Sequence, residues 1–167
     1  VNNPDPFDRD SDAGRDYAAA SAVLAEITAT TFEVLAQWPL PPTHPAVKRL
    51  GLLVDRHGTF TILSVALGWC STEIRDRLHL DPHEPLPAGA VRVRYPARPQ
   101  GVEVEGVVAK LLEHVLAGVD GVPRLYDAAA MLRVDPVETS RVLVGVLDLC
   151  GALRLHTAEL VTAGGPL

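Results

Sequence analysis

Apolar side chains recur at helical intervals from Asp16 to Trp38. Ala20, Leu24, Ile27, Thr31, Val34, Leu35 and Trp38 fall on one stripe, with Glu26 and Glu33 off it. Pro39, Pro41 and Pro42 then stop the helix, because proline removes a backbone donor and clashes with the preceding turn. A second helix is expected over 45–57, carrying Val47, Leu50, Leu52 and Leu53 and stopping at Gly58. An apolar segment, Phe60 to Leu67, follows as a short helix and ends at Gly68. Ser71 then has the chemistry of a helix N-cap, with Glu73 in the first turn and Ile74 and Leu78 on the buried face. After a proline-rich stretch, Gly89-Ala90-Val91-Arg92-Val93-Arg94 alternates as a short strand does.

The order then repeats. Helices are expected over 102–116 and 124–132. A third starts at the N-cap Asp135 with Pro136 in its first turn and runs to Leu149. Gly151-Ala152-Leu153-Arg154-Leu155-His156 alternates in its turn. At an offset of 65, Leu67, Glu73 and Leu78 meet Leu132, Glu138 and Leu143. At 62, GAVRVR meets GALRLH, and at 63, Gly58 meets Gly121. Ile74 meets Thr139, the one mismatch. Two copies of a helix–helix–helix–strand unit are the reading of this pattern.

Three parts follow: an acidic tail with the N-terminal helix over 1–43, a first unit over 44–100 and a second over 101–167. The charge divides along these lines. The first part holds 2 basic and 7 acidic side chains, the second 8 and 5, and the third 5 and 9. Only the middle part attracts an anionic partner. The first dozen residues, with Pro4, Pro6 and a run of aspartates, are expected to form a mobile tail. Arginine outnumbers lysine 13 to 2, as in the proteins of GC-rich bacteria. The longest apolar run, Phe60 to Cys70, is about half of the roughly 20 residues a bilayer crossing needs. With no hydrophobic signal core and two cysteines, Cys70 and Cys150, far apart in the chain, a cytoplasmic protein without disulfides or membrane contact is expected.

The first unit, TILSVALGWCSTEIRDRL with GAVRVRYPARP, resembles the winged-helix form of helix-turn-helix domains. So does the second, RLYDAAAMLRVDPVETSRVLVGVLDLCGALRLH. The second also looks like the dimerisation module ahead of the catalytic domain of small-molecule O-methyltransferases, although no glycine-rich cofactor loop accompanies it. It is similar, too, to a winged-helix domain of actinobacterial operons that encode a roadblock protein and a small GTPase. The paired arrangement resembles the accessory subunits of bacterial condensins. These resemblances imply a mainly α fold with small β-wings: one long N-terminal helix and two tandem winged-helix units.

In a DNA-binding winged helix the third helix enters the major groove and the wing reaches the backbone or the minor groove. The first unit would then offer Arg75 and Arg77 from its helix and Arg92, Arg94 and Arg98 from its wing, beside Tyr95. Glu73 and Asp76 on that helix oppose phosphate. The helix after Pro136 carries one basic residue, Arg141, and is apolar on nearly every side. It is either a self- or partner-association face or is covered by the N-terminal helix. The leading expectation is a non-enzymatic regulator whose first unit binds double-stranded DNA and whose second makes a homodimer or holds a protein. The alternative is a protein–protein adaptor of the condensin-accessory or GTPase-operon kind.

Metal and catalytic readings fare worse. His79 and His83 stand near Asp81 and Glu84, but Pro82 breaks the helix that an i, i+4 ligand pair needs. Asp8, Asp10 and Asp12 resemble the start of a calcium loop, yet Ala13 and Ala19 stand where its glycine and bidentate acid belong. Cys70 with His57 has no orienting acid, and both cysteines read as small buried hydrophobes. No cofactor, metal or catalytic residue is expected.

Overall fold

The computed structural model describes residues 12–96 and 102–164. The acidic tail, apart from Asp12, and Arg98 lie outside these residues. The chain runs α1 (Asp12–Gln37), α2 (Pro45–His57), α3 (Phe60–Arg77), β1 (Val91–Arg94), α4 (Val102–Leu116), a 3-10 turn (Gly118–Gly121), α5 (Val122–Leu132), α6 (Pro136–Arg154) and β2 (Glu159–Thr162). Among the described residues it is mainly helical with one small antiparallel sheet.

The stripe read for α1 is what that helix buries, but only from its middle onward. Ile27, Thr31, Val34, Leu35 and the following Trp38 are buried, whereas Leu24 is exposed. From Arg15 to Glu26 the helix faces solvent, with Val23 alone half-buried. Over Arg15–Gln37 it is long and apolar enough to cross a membrane by length and composition, a span the sequence reading had not singled out. In α2, the imidazole of His44 caps the helix by accepting from the Ala46 amide at 3.2 Å, ahead of Pro45. Gly58 closes it at φ +84°, donating its N–H to the Val54 carbonyl. Ala46, Leu50 and Leu53 point inward, and Leu52, expected with them, is exposed.

The expected break at Gly68–Ser71 is absent: α3 is one helix from Phe60 to Arg77. A glycine within a helix costs about 1 kcal/mol relative to alanine. Burial of Ile62, Leu63, Leu67 and Ile74 outweighs that several times over, at about 1.5–3 kcal/mol for each large side chain. Ser71 is not a cap; its hydroxyl accepts from Nε of Arg75. The second half does break at the matching place. Pro136 stands where the first half has Ser71, and a residue before proline is driven out of the helical region. Asp135 accordingly sits at φ −121°, ψ 103° and caps α6 through the amides of Val137 and Glu138.

A second correction concerns the final strand. The alternating 151–156 segment is largely helix, because α6 continues to Arg154 and carries Leu153 into the core. The strand comes later, at Glu159–Thr162. It pairs with β1 in the register Val91↔Thr162, Arg92↔Val161, Val93↔Leu160 and Arg94↔Glu159. Each half thus supplies one strand to a shared ladder, and among the described residues neither half has a hairpin of its own.

One hydrophobic core joins both halves, from Ile27 of α1 to Leu153 of α6, with α3 and α6 at its centre. Val142, Val146, Leu149 and Leu153 of α6 are buried by the chain itself, and Trp38, just past the end of α1, packs on the same helix at Asp148 and Gly151. The apolar character of α6 is therefore accounted for inside the molecule.

Candidate nucleic-acid or peptide interface

Antiparallel pairing leaves every second residue of a strand with its N–H and C=O pointing away from the partner strand. Ala163 donates to the Ala90 carbonyl at 3.1 Å, so Ala90 and Ala163 form a bonded pair. By alternation Arg92 and Arg94 bond to β2, and the N–H and C=O groups of Val91 and Val93 face the outer edge. That edge opens on a groove of about 530 Å³ between β1 and α4. Val108 and Leu112 of α4 and Leu149 of α6 form its apolar floor, and Glu105 stands at its wall.

The side chains of β1 alternate across the strand. Val91 is buried and Val93 half-buried, while Arg92 and Arg94 are exposed. Arg94 faces Glu159 directly across the ladder, with Nη1 3.8 Å from the carboxylate; both are exposed, so the pair contributes little stability. Tyr95 closes the end of the groove. Burial raises the pKa of its hydroxyl well above the ordinary value, and the charges of Glu105 and Asp148 push the same way. The hydroxyl therefore stays protonated and is a donor.

The five arginines expected to share one DNA-facing surface do not share one. Arg75 is buried; its guanidinium donates to the Ser71 hydroxyl and to the carbonyls of Asp81, Glu84 and Leu116 at 2.7–3.2 Å. It holds the loop after α3 and the end of α4 in place and presents nothing to a groove. Arg77 is turned onto its own helix and α6. It makes a two-nitrogen contact with Glu73 at 2.8 and 3.0 Å and donates to the Leu153 carbonyl. Arg92 and Arg94 remain exposed on β1, and Arg98 lies outside the described residues. His79, at φ +53°, and His83 are exposed beyond the end of α3. Among the described residues no group of three or more His, Cys, Asp or Glu side chains could hold a metal ion.

Glu105, Val108 and Leu112 were missed as site residues because the sequence assigns β1 and α4 to different units. Nothing in their spacing announces that α4 returns beside the outer edge of β1.

Compared with family models, with curated proteins and with solved structures, the chain matches none.

Proposed function

We propose that the protein is a non-enzymatic protein-binding module that takes an extended segment of a partner as a third strand along β1. The observation that carries this reading is the outer edge of Val91 and Val93, unpaired among the described residues and lining a groove with an apolar floor. An added strand of four residues spans about 13 Å and would alternate as β1 does. Side chains beside Val91 and Val93 would turn toward Val108 and Leu112 and should be apolar. Those beside Arg92 and Arg94 should be acidic. The chain's own β2 follows this rule at two positions, with Glu159 opposite Arg94 and Leu160 opposite Val93. In this reading the tandem winged-helix arrangement is kept in altered form, as two related helical units whose wings are single strands paired with each other.

The test is a titration of the labelled protein with the peptide Val-Glu-Val-Glu-Val, followed by amide resonances. The Val91 and Val93 amides should shift, and the lysine counterpart of the peptide should bind more weakly. Unmoved Val91 and Val93 amides at millimolar peptide would sink the proposal. Val93→Pro removes an outward N–H without touching a bond to β2, so it should abolish the shift of the Val91 amide, while Val93→Ala keeps it.

DNA contact is the second reading, favoured by the exposure of Arg92 and Arg94. With Arg75 and Arg77 engaged inside the protein, Arg92 and Arg94 would together contribute about −2 to the log–log salt slope, at −0.9 per phosphate neutralised. Replacing both by alanine should flatten the slope by about two units. No binding to any duplex at low salt retires that reading.

A further inference from the structure

The two cysteines, 80 residues apart in sequence, meet at the centre of the fold. Sγ of Cys70 on α3 lies 3.2 Å from Sγ of Cys150 on α6, and both thiols are free. Each is fully enclosed, at 0% and 1% exposure. We infer that Cys70 and Cys150 form an oxidisable pair that closes to an intramolecular disulfide joining α3 to α6. A disulfide needs a sulfur separation of about 2.05 Å, so the thiols have to approach by roughly 1 Å. Their present separation already puts them in contact from facing positions on two packed helices.

The oxidant is a small-molecule disulfide such as glutathione disulfide. One cysteine thiolate attacks a sulfur of the reagent, its S–S bond breaks, and one glutathione leaves as a thiolate. The second cysteine thiolate then attacks the protein-bound sulfur and expels the second glutathione. Two protein thiols are oxidised, one disulfide is reduced to two thiols, and the two protein protons end on the leaving sulfurs. Burial and the neighbouring Cys70 push the Cys150 thiol well above its ordinary pKa, so thiolate is scarce in the closed protein. The bond therefore forms quickly during folding and slowly once the helices have closed, at the rate at which α3 and α6 part. This inference is independent of the peptide groove.

The full chain is refolded from the reduced, unfolded state in glutathione buffer, acid-quenched, unfolded and alkylated. Expected is a monomer about 2 Da lighter than the reduced chain that takes up no alkyl group. Its melting midpoint should stand roughly 5–15 °C above that of the reduced protein, because the bond closes a long loop in the unfolded chain. Cys150→Ala should lose the response of the midpoint to reductant. If that variant does not fold, comparing the wild-type chain with and without dithiothreitol decides the matter alone. Two alkylated thiols, a mixed glutathione adduct, a disulfide-linked dimer or a lower midpoint in the oxidised chain would each overturn the inference.

Discussion

The indole N–H of Trp38 donates to Oδ1 of Asp148 at 2.8 Å, a buried hydrogen bond between residues 110 apart in sequence. It ties the chain at the end of α1 to the middle of α6. The surroundings reinforce the tie. Arg154 donates to the Trp38 carbonyl at 2.8 Å, and Gly151 leaves room for the indole: a Cβ there would stand 2.8 Å from Cδ1 of the ring. A carboxylate as enclosed as that of Asp148 is costly without donors, so the tryptophan contributes polarity as well as bulk.

Trp38→Phe keeps most of the apolar contact and removes the donor. It should destabilise the protein by about 1–3 kcal/mol, the cost of withdrawing one partner from a buried polar group. Denaturant unfolding should show a lower midpoint with an unchanged slope. Stability equal to wild type would mean that the hydrogen bond contributes nothing net.

Arg75 and the pair Arg92/Arg94 should separate cleanly under substitution. Arg75→Ala deprives three backbone carbonyls and the Ser71 hydroxyl of their donor, in a place where the side chain is almost wholly enclosed. A loss of at least about 2 kcal/mol follows. Arg92→Ala and Arg94→Ala change exposed side chains and should stay within about 0.5 kcal/mol of wild type. Thermal unfolding of the three variants measures both halves of the claim, and an Arg75→Ala protein as stable as the Arg92→Ala one contradicts it.

The contrast shows where the sequence was legible. Helix stops at Pro39 and Gly58 and the cap at Asp135 act within a few residues, and each is found where its chemistry places it. The strand at Val91–Arg94 is also where its alternation sets it. The break at Ser71 was a local signal overruled by burial of Leu67 and Ile74 on both sides of it. Leu153 alternates with its neighbours as strand residues do, but its place in the core extends α6 instead. The pairing of β1 with β2, and the meeting of Cys70 with Cys150, depend on how α3 and α6 pack. Residues 65 to 80 positions apart carry no local mark of being neighbours.

Gly121 is fixed by a close approach that no other residue tolerates. A Cβ at this position would lie 1.7 Å from the His114 carbonyl oxygen, a backbone atom that cannot swing away. Gly121→Ala should therefore cost about 3 kcal/mol or more, with the turn between α4 and α5 displaced. Gly106, with open space around its position, is the control: Gly106→Ala lies inside α4 and should be neutral or stabilising. Melting of the two variants side by side tests the difference.

His114 supplies a pH dependence of definite sign. Burial first, then the positive charges of Arg124 and Lys110, hold its imidazole below the ordinary value of 6.5, and Glu113 opposes them only in part. The folded protein thus binds this proton less readily than the unfolded chain does. Above pH 6.5 neither state is protonated here and the full contribution is present. As the pH falls below that value the unfolded chain takes up the proton first, and stability drains away until the folded imidazole is protonated as well. His114→Gln removes this proton-binding site from both states. Between about pH 7 and 5 the wild-type protein should accordingly lose more stability than the variant, as read from denaturant midpoints at matched salt. Parallel stability curves for the two proteins would show that the imidazole is equally basic in the folded and unfolded chain.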